Sequence, residues 1–336
     1  MLSGTLFSIR RAAWALAGAA GIAACLAFGS YSFAQQSFVG AHGRPRVEGT
    51  RVVDEKGEPI TLRGMSLYCW NQQGKQFFNK EAVGHLARDW KCTLVRIAVL
   101  PRDVKNSMAG EIERVKTVID ACAANGVYAL VDYHSMQSAQ NDVATPRAFF
   151  EALAKAYARS PNVMYEIWNE PVQESWEVIK GYHEAVIPAI RAVDPESIIV
   201  VGSRHWDQEL EEASLNPIKG VKNVAYAIHF YSGTHRQALR DNGARAMKNG
   251  VALFASEYGL STASGNGGLD FAEQKLWWDW LDENHISSAN WSVAALDETS
   301  AAFKPGASPT GPWPDEMLKP SGIAVRDYLI GKNGGR

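Results

Sequence analysis

Two apolar stretches of this 336-residue chain each end on a glutamate. One is Val163-Met164-Tyr165-Glu166-Ile167-Trp168-Asn169-Glu170, which runs into Pro171. The other is Val251-Ala252-Leu253-Phe254-Ala255-Ser256-Glu257, which runs into Tyr258-Gly259. β-Branched and aromatic residues in short apolar runs read as buried strands. Proline cannot donate to a sheet ladder, so Asn169 and Glu170 are expected to be the last residues of their strand. A carboxylate at the C-terminal end of an α/β strand sits where such folds keep their chemistry. Two such carboxylates could share one substrate. Cleavage of a glycosidic bond needs one carboxyl protonated, to donate to the leaving oxygen, and one ionised, to attack the anomeric carbon. Retaining enzymes hold the pair ~5–5.5 Å apart. Repulsion raises the pKa of one partner, while a cation or hydrogen-bond donor holds the other down. Arg96 and Tyr231 are the candidates to keep one glutamate charged.

Further polar and aromatic groups fall near the ends of other apolar runs: Arg96 in Val95-Arg96-Ile97, Asp132-Tyr133-His134, His205-Trp206, His229-Phe230-Tyr231 and Asn290-Trp291. An unpaired charge or imidazole inside a strand is costly. One buried histidine alone reads as a satisfied core residue, but a polar contribution from nearly every strand reads as a site. His134, His229, Asp132 and the two glutamates could in principle ligate zinc. The HxH and HExxH spacings are absent, and Arg96 would oppose a cation, so neither a metal nor any other cofactor is expected.

Positioning these groups requires a repeating frame. Strand patterns occur at 61–66, 93–99, 127–133, 163–170, 198–202, 224–230, 251–257 and 287–293. Amphipathic helical patterns occur at 80–90, 109–124, 145–159, 175–193, 207–215, 235–249, 270–284 and 320–331. Eight strand-then-helix units imply a parallel sheet closed as a single (β/α)8 TIM barrel, in the α/β class. Val47 to Val53, a turn at Glu55-Lys56-Gly57-Glu58, and Ile60 to Leu62 read as a small N-terminal β-hairpin. No GxGxxG follows the first barrel strand, so a dinucleotide site has no support. Gly265-Asn266-Gly267-Gly268 reads as a flexible loop. The expected organisation is a linker at 35–44, one catalytic domain at 45–331 and a tail at 332–336.

Composition narrows the partners. A net charge of −2 leaves no basic excess for nucleic acid. Eleven Trp is a high count, which suits either flat stacking surfaces for sugars or bases or simply a large aromatic core. Arg10-Arg11, the apolar run Ala12 to Phe28, and the small residues of Ser32-Phe33-Ala34 read as an export signal cleaved after Ala34, residues 1–34. The expected location is therefore secreted or periplasmic. The alternative is a lipobox at Ile22-Ala23-Ala24-Cys25, which would leave a membrane-anchored lipoprotein at Cys25; an uncleaved anchor is a third reading. Cys69, Cys92 and Cys122 then remain, an odd number read as buried thiols. A monomer is expected.

At these residues the sequence resembles glycoside hydrolase family 5, the cellulase-type retaining endoglucanases. Ile167-Trp168-Asn169-Glu170-Pro171 resembles the family's acid/base motif, and Ser256-Glu257-Tyr258-Gly259 its nucleophile motif. The run from Trp291-Ser292 through Asp297-Glu298-Thr299-Ser300 to Pro309-Thr310-Gly311 is similar to the bacterial endoglucanase branch. The resemblance implies Glu170 as proton donor and Glu257 as nucleophile. It implies Asn169 on the sugar 2-hydroxyl, Tyr231 and Arg96 on Glu257, His229 beside Glu170, and His134 at the reacting sugar. Trp291 would be a sugar platform whose bond to Ser292 is a cis peptide, and Trp206, Trp70 and Glu298 would complete the substrate-binding set. It implies a β-glucan substrate. Other β-glycans (mannan, mixed-linkage glucan, xyloglucan) and a non-catalytic glycan-binding barrel are the alternatives. Two positions depart from the pattern: Tyr68 stands near a usual histidine, with Trp70 out of register, and Leu296 replaces a usual lysine.

Overall fold

The computed structural model describes Met1, residues 37–136 and residues 139–334. The proposed signal segment and Cys25 lie outside the described residues. Two short strands, β1 (Arg46–Glu48) and β2 (Arg51–Val53), precede eight barrel strands. These are β3 (Arg63–Leu67), β4 (Leu94–Val99), β5 (Tyr128–Tyr133), β6 (Val163–Glu166), β7 (Ile199–Val201), β8 (Val224–Tyr231), β9 (Ala252–Gly259) and β10 (Ser287–Val293). They run in sequence order around a closed barrel, β10 pairing with β3. Every barrel pair is parallel.

The outer helices follow the sequence expectation: Lys80–Arg88, Met108–Ala124, Ala144–Tyr157, Trp176–Arg191, Leu210–Leu215, Gln237–Lys248, Phe271–Glu283 and Pro320–Asn333. Their starts have local causes. The Asn79 side chain accepts the Ala82 amide and Asp270 accepts the Glu273 amide, each satisfying an orphan donor of the first turn. Pro320 opens the last helix, where its missing N–H costs nothing. Between helices and strands lies a continuous apolar layer that includes Val95, Ile97, Phe149, Tyr165, Ile228 and Trp277.

Inside the barrel a second apolar cluster contains Leu62, Leu94, Tyr128, Leu130, Met164, Val200, Ala227, Phe254 and Ala289. It fills the half of the lumen at the N-terminal ends of the strands. Val52 and Ile60 of the N-terminal segment belong to the same cluster, with Phe38 and Val39 packed against it. Phe38 meets the Tyr128 ring edge-on at 6.1 Å.

Three local expectations are corrected. Residues 38–42, expected within a linker, form a short helix, Phe38–His42, capped by Ser37 and tied down by the Val39 amide donating to the Gly126 carbonyl at 2.9 Å. The hairpin turns earlier than expected: β1 pairs with β2 through Arg46–Val53, Val47–Val52 and Glu48–Arg51. Gly49, at φ 60°, allows the reversal inside what reads as one strand. The expected turn also exists, built on Asp54, whose side chain accepts the Lys56 and Glu58 amides. Finally, β6 stops at Glu166, so Asn169 and Glu170 lie beyond it. That stretch still hydrogen-bonds its neighbours, with the Asn169 amide on the Tyr133 carbonyl (3.2 Å) and the Glu170 amide on the Ser135 carbonyl (3.1 Å).

Cys69, Cys92 and Cys122 are buried free thiols. Burial pushes the Cys92 and Cys122 thiols far up, so they stay protonated. No helix among the described residues is long and apolar enough to cross a membrane.

Candidate active site

Alternation along the strands sets which side chains enter the lumen. From Leu94 the next inward residue of β4 is Arg96; from Leu130 the next of β5 is Asp132; from Met164 the next of β6 is Glu166; from Ala227 the next of β8 is His229, then Tyr231. The apolar floor thus gives way, one layer up, to a polar layer. On β9 the alternation is broken on purpose. Its pairings step from Phe254 opposite Ala227 to Glu257 opposite His229, and from Ala255 opposite Ser288 to Tyr258 opposite Asn290. One extra residue sits on β9 against both neighbours, which is a β-bulge. It lets the consecutive Ser256 and Glu257 both reach the lumen side, where strict alternation would admit only one.

Arg96 is the centre of the polar layer and has no exposed surface. Its Nε donates to Glu166 Oε2 at 2.6 Å and its Nη1 to Glu257 Oε2 at 2.9 Å. Its Nη2 reaches Asn169 Oδ1 at 2.5 Å and Asp132 Oδ2 at 2.9 Å. One guanidinium therefore serves three buried carboxylates. Burial works to raise the Glu166 pKa, but Arg96, then His229, hold it down at about 2. Asp132 has less help: burial pushes it up to about 6 against the pull of Arg96 and His134.

The two glutamates face different surroundings. Tyr231 donates its hydroxyl to Glu257 Oε1 at 2.7 Å. Burial alone would raise the Glu257 carboxyl, yet Arg96 chiefly, then His229, His134 and the Tyr231 hydroxyl, bring it below its ordinary value. Glu257 is thus held ionised. Glu170 touches no guanidinium; its Oε1 lies 2.9 Å from His229 Nδ1. Carboxylate oxygens of Glu170 and Glu257 and a ring nitrogen of His229 all lie within 4.8 Å of one another.

Both glutamates line a cavity of about 600 Å³ at the C-terminal end of the barrel. Aromatic groups form its walls. Trp291 lies parallel to His134 at 5.0 Å, Tyr68 leans on Trp291 at 5.3 Å, and Trp70 meets His134 edge-on at 5.8 Å. His134 is fixed by Asp132, its Nδ1 lying 2.8 Å from Oδ2. The Trp291–Ser292 peptide is cis. Glu298 lines the cavity beside Gly265, its Oε1 accepting the Ser300 hydroxyl at 2.5 Å. Trp206 lines the cavity and is 38% exposed, as is Trp70, so both offer open faces. Trp206 is presented by an unusual turn in which His205, Trp206 and Asp207 all have positive φ.

The structure therefore gathers all eleven expected site residues: eight line the cavity, and Arg96, Asn169 and His229 lie beneath it. Several pairings within the site were not expected. Glu166 and Asp132 balance Arg96, Ser256 bridges Glu166 and His229, Asp207 backs His229, and Tyr68 shapes the wall. The sequence carried a signal for the first two: a buried arginine demands anionic partners, and counting by two from Met164 and Leu130 reaches Glu166 and Asp132. Ser256 depends on the bulge, which the sequence does not announce.

Among the described residues two groups have metal-ligand spacing, Glu166 with Asp207 and His229, and Glu170 with His229 and Glu257. In both, ligand atoms are already engaged: Arg96 holds Glu166 and Glu257, and His229 Nδ1 holds Glu170. A guanidinium 2.9 Å from Glu257 repels a second cation at that oxygen.

Residues 53–297 match the sequence profile of "Cellulase (glycosyl hydrolase family 5)". Among curated relatives, Endoglucanase Z of Dickeya dadantii is 39% identical over 268 residues, covering 74% of this chain and 62% of that protein. Endoglucanase A of Evansella cellulosilytica is 40% identical over 284 residues, covering 81% and 57%. The chain thus spans roughly three fifths of the length of these relatives. A solved structure from Cytophaga hutchinsonii is 44% identical with a TM-score of 0.87, covering 89% of this chain and 98% of that one. The catalytic domain of an endoglucanase from Thermobifida fusca, solved as a variant with cellotetraose, is 32% identical with a TM-score of 0.83, covering 87% and 99%.

Proposed function

The chain belongs to the cellulase family, glycosyl hydrolase family 5, and from that premise we propose that it is a retaining endo-β-1,4-glucanase acting on cellulose or related β-glucans. The observation that carries this reading is the pair Glu170 and Glu257, with carboxylate oxygens within 4.8 Å in one cavity and different partners, an imidazole on Glu170 and a guanidinium and a tyrosine hydroxyl on Glu257. Glu257, held ionised by Arg96 and Tyr231, attacks the anomeric carbon. Glu170, beside an imidazole instead of a guanidinium, gives its proton to the departing oxygen. A glycosyl-enzyme forms at Glu257; Glu170 then takes a proton from water, which opens the ester, and the sugar leaves with its configuration retained.

The remaining roles follow from placement. Asn169, locked by Arg96, presents its Nδ2 toward the 2-hydroxyl of the reacting sugar, a contact that strengthens in the transition state. Trp291, backed by His134, offers its ring to the axial C–H face of the pyranose. Trp70, Trp206 and Glu298 extend binding to neighbouring sugars. The relative that binds cellotetraose supports a substrate of several β-linked glucose units. We further assign residues 1–34 to an export signal, which places the enzyme outside the cytoplasm, with lipid attachment at Cys25 as the alternative outcome.

Glu170→Gln and Glu257→Gln should each abolish release of reducing ends from soluble β-glucan while leaving the thermal unfolding transition in place. Activity persisting in both variants would remove the assignment. A panel of β-glucan, mannan, mixed-linkage glucan and xyloglucan identifies the preferred backbone.

A further inference from the structure

Asp207 is a fully buried carboxylate at the turn after β7, and the mechanism above does not use it. Its Oδ1 accepts the Ser203 amide at 2.6 Å. Gly202 leaves room for it, since a Cβ there would stand 2.9 Å from that oxygen. The other oxygen, Oδ2, has no hydrogen-bond partner among the described residues. It lies 3.5 Å from His229 Nε2, directly behind the imidazole that touches Glu170.

The hydrogen-bond pattern fixes the imidazole. Glu166 is ionised, so Ser256 donates its hydroxyl to Glu166 Oε1 at 2.6 Å. The Ser256 oxygen is then free to accept from His229 Nε2 at 2.9 Å. Nε2 therefore carries a hydrogen, and Nδ1 is the nitrogen that faces Glu170 Oε1 at 2.9 Å. One proton is shared across that contact. It rests either on Glu170 with a neutral imidazole, or on Nδ1 with an imidazolium and a carboxylate. Only the first state can protonate a leaving group.

We propose that Asp207 is a positioning residue that governs which of Glu170 and His229 holds the proton they share. This rests on Glu170 being the general acid. The His229 pKa is pushed down by burial but raised well above the ordinary imidazole value by its carboxylates, Asp207 foremost and then Glu166 and Glu170; with Asp207 neutral that largest pull is gone, Glu166 is shared with Arg96, and the proton stays on Glu170. An ionised Asp207 places a full negative charge 3.5 Å from the ring and draws the proton onto Nδ1. The groups facing Asp207 are His229 from β8, Glu166 from β6, Glu170 beyond β6 and the Ser203 amide. Behind Gly202 lies His183 of the helix Trp176–Arg191, kept neutral by burial, which pushes it down to about 4. Burial, reinforced by Glu170 and Glu166 and opposed by His229, pushes the Asp207 carboxyl well above the ordinary range. Once Asp207 is ionised, Glu170 is disarmed as an acid.

The test compares kcat/KM against pH for the wild type and Asp207→Asn on two substrates. Soluble β-glucan needs the acid; a dinitrophenyl β-cellobioside, whose leaving group is already a weak base, does not. Asparagine keeps an oxygen for the Ser203 amide and cannot ionise. The alkaline limb on β-glucan should move up by about 1–3 pH units, while the limb on the aryl substrate stays put. Equal changes on both substrates, or no shift, would overturn the proposal. A second measurement needs neither activity nor a variant. In ¹⁵N spectra of the histidine-labelled wild type, His229 should gain a proton at Nδ1 as pH rises, the reverse of an ordinary histidine. A His229 that only loses protons as pH rises overturns it too. Should the wild type leave β-glucan uncut, the enzymatic reading fails on its own while the spectra still decide the role of Asp207.

Discussion

Replacing Tyr231 with phenylalanine removes one atom whose effect can be worked out from the contact it makes. The Tyr231 hydroxyl donates to Glu257 Oε1 at 2.7 Å at the floor of the cavity, where both side chains are largely buried. A hydrogen bond to a buried charged group contributes about 1.5–3 kcal/mol. The bond exists in this strength only while Glu257 is ionised, so its loss weakens the charged form selectively. At 1.36 kcal/mol per unit, Tyr231→Phe should raise the Glu257 carboxyl by about 1–2 pH units. The sign follows from the depressed value in the native enzyme. Glu257 is ionised above that value and protonates as pH falls through it, so the acidic limb of kcat/KM must move to higher pH in the variant. Arg96 still contacts the other oxygen, so the nucleophile remains charged at neutral pH and the plateau rate falls much less than the limb moves. The assay is kcat/KM on an aryl β-cellobioside from acidic to neutral pH, which isolates the attacking carboxylate from the acid. An acidic limb that stays in place would refute the claim that Tyr231 helps to hold the nucleophile ionised.

Two further outcomes follow from the same geometry. Glu166→Gln strips Arg96 of its shortest ion pair and should destabilise the fold by about 3–5 kcal/mol at neutral pH. Because the native Glu166 carboxyl is depressed to about 2, its stabilisation is complete above the ordinary glutamate value near 4.5 and fades as pH falls toward 2. Denaturant titrations of the two proteins should therefore converge with acidification, and a gap that stays constant would sink the argument. Trp206→Ala removes a half-open ring at the cavity rim, so thermal stability should hold. KM for β-glucan should rise roughly 2–10-fold for a stacking contact of about 0.5–1.5 kcal/mol, and an unchanged KM would show that no sugar rests there.

The barrel was legible because its rules are local. Each of the eight strands lies within a few residues of its apolar run, and the polar groups at the strand ends converge as the fold class requires. What escaped was set by one-residue events. Gly49 reverses the chain inside an apparent strand, and an extra residue on β9 turns Ser256 inward beside Glu257. Neither leaves a mark in hydrophobic periodicity, because each changes the register without changing composition. Asp207 was hidden for a similar reason. It reads as part of an exposed amphipathic helix, yet the left-handed turn through His205 and Trp206 folds it into the barrel.

Glu166 ties these observations together. Its Oε2 accepts from Arg96, which charges the Glu257 side, and its Oε1 accepts from Ser256, which orients His229 on the Glu170 side. A single carboxylate at the centre of the polar layer therefore helps set both halves of the pair. The two catalytic candidates line the same cavity and are chemically alike, so a difference in role must come from below them. The guanidinium under Glu257 and the imidazole under Glu170 supply it, and both are held in place by the carboxylate they have in common. A substitution at Glu166 should consequently disturb the acidic and alkaline limbs together, whereas Tyr231→Phe moves only the first and Asp207→Asn only the second. That separation is what a shared support beneath two independent arms predicts, and a Glu166→Gln profile displaced on one limb alone would contradict it.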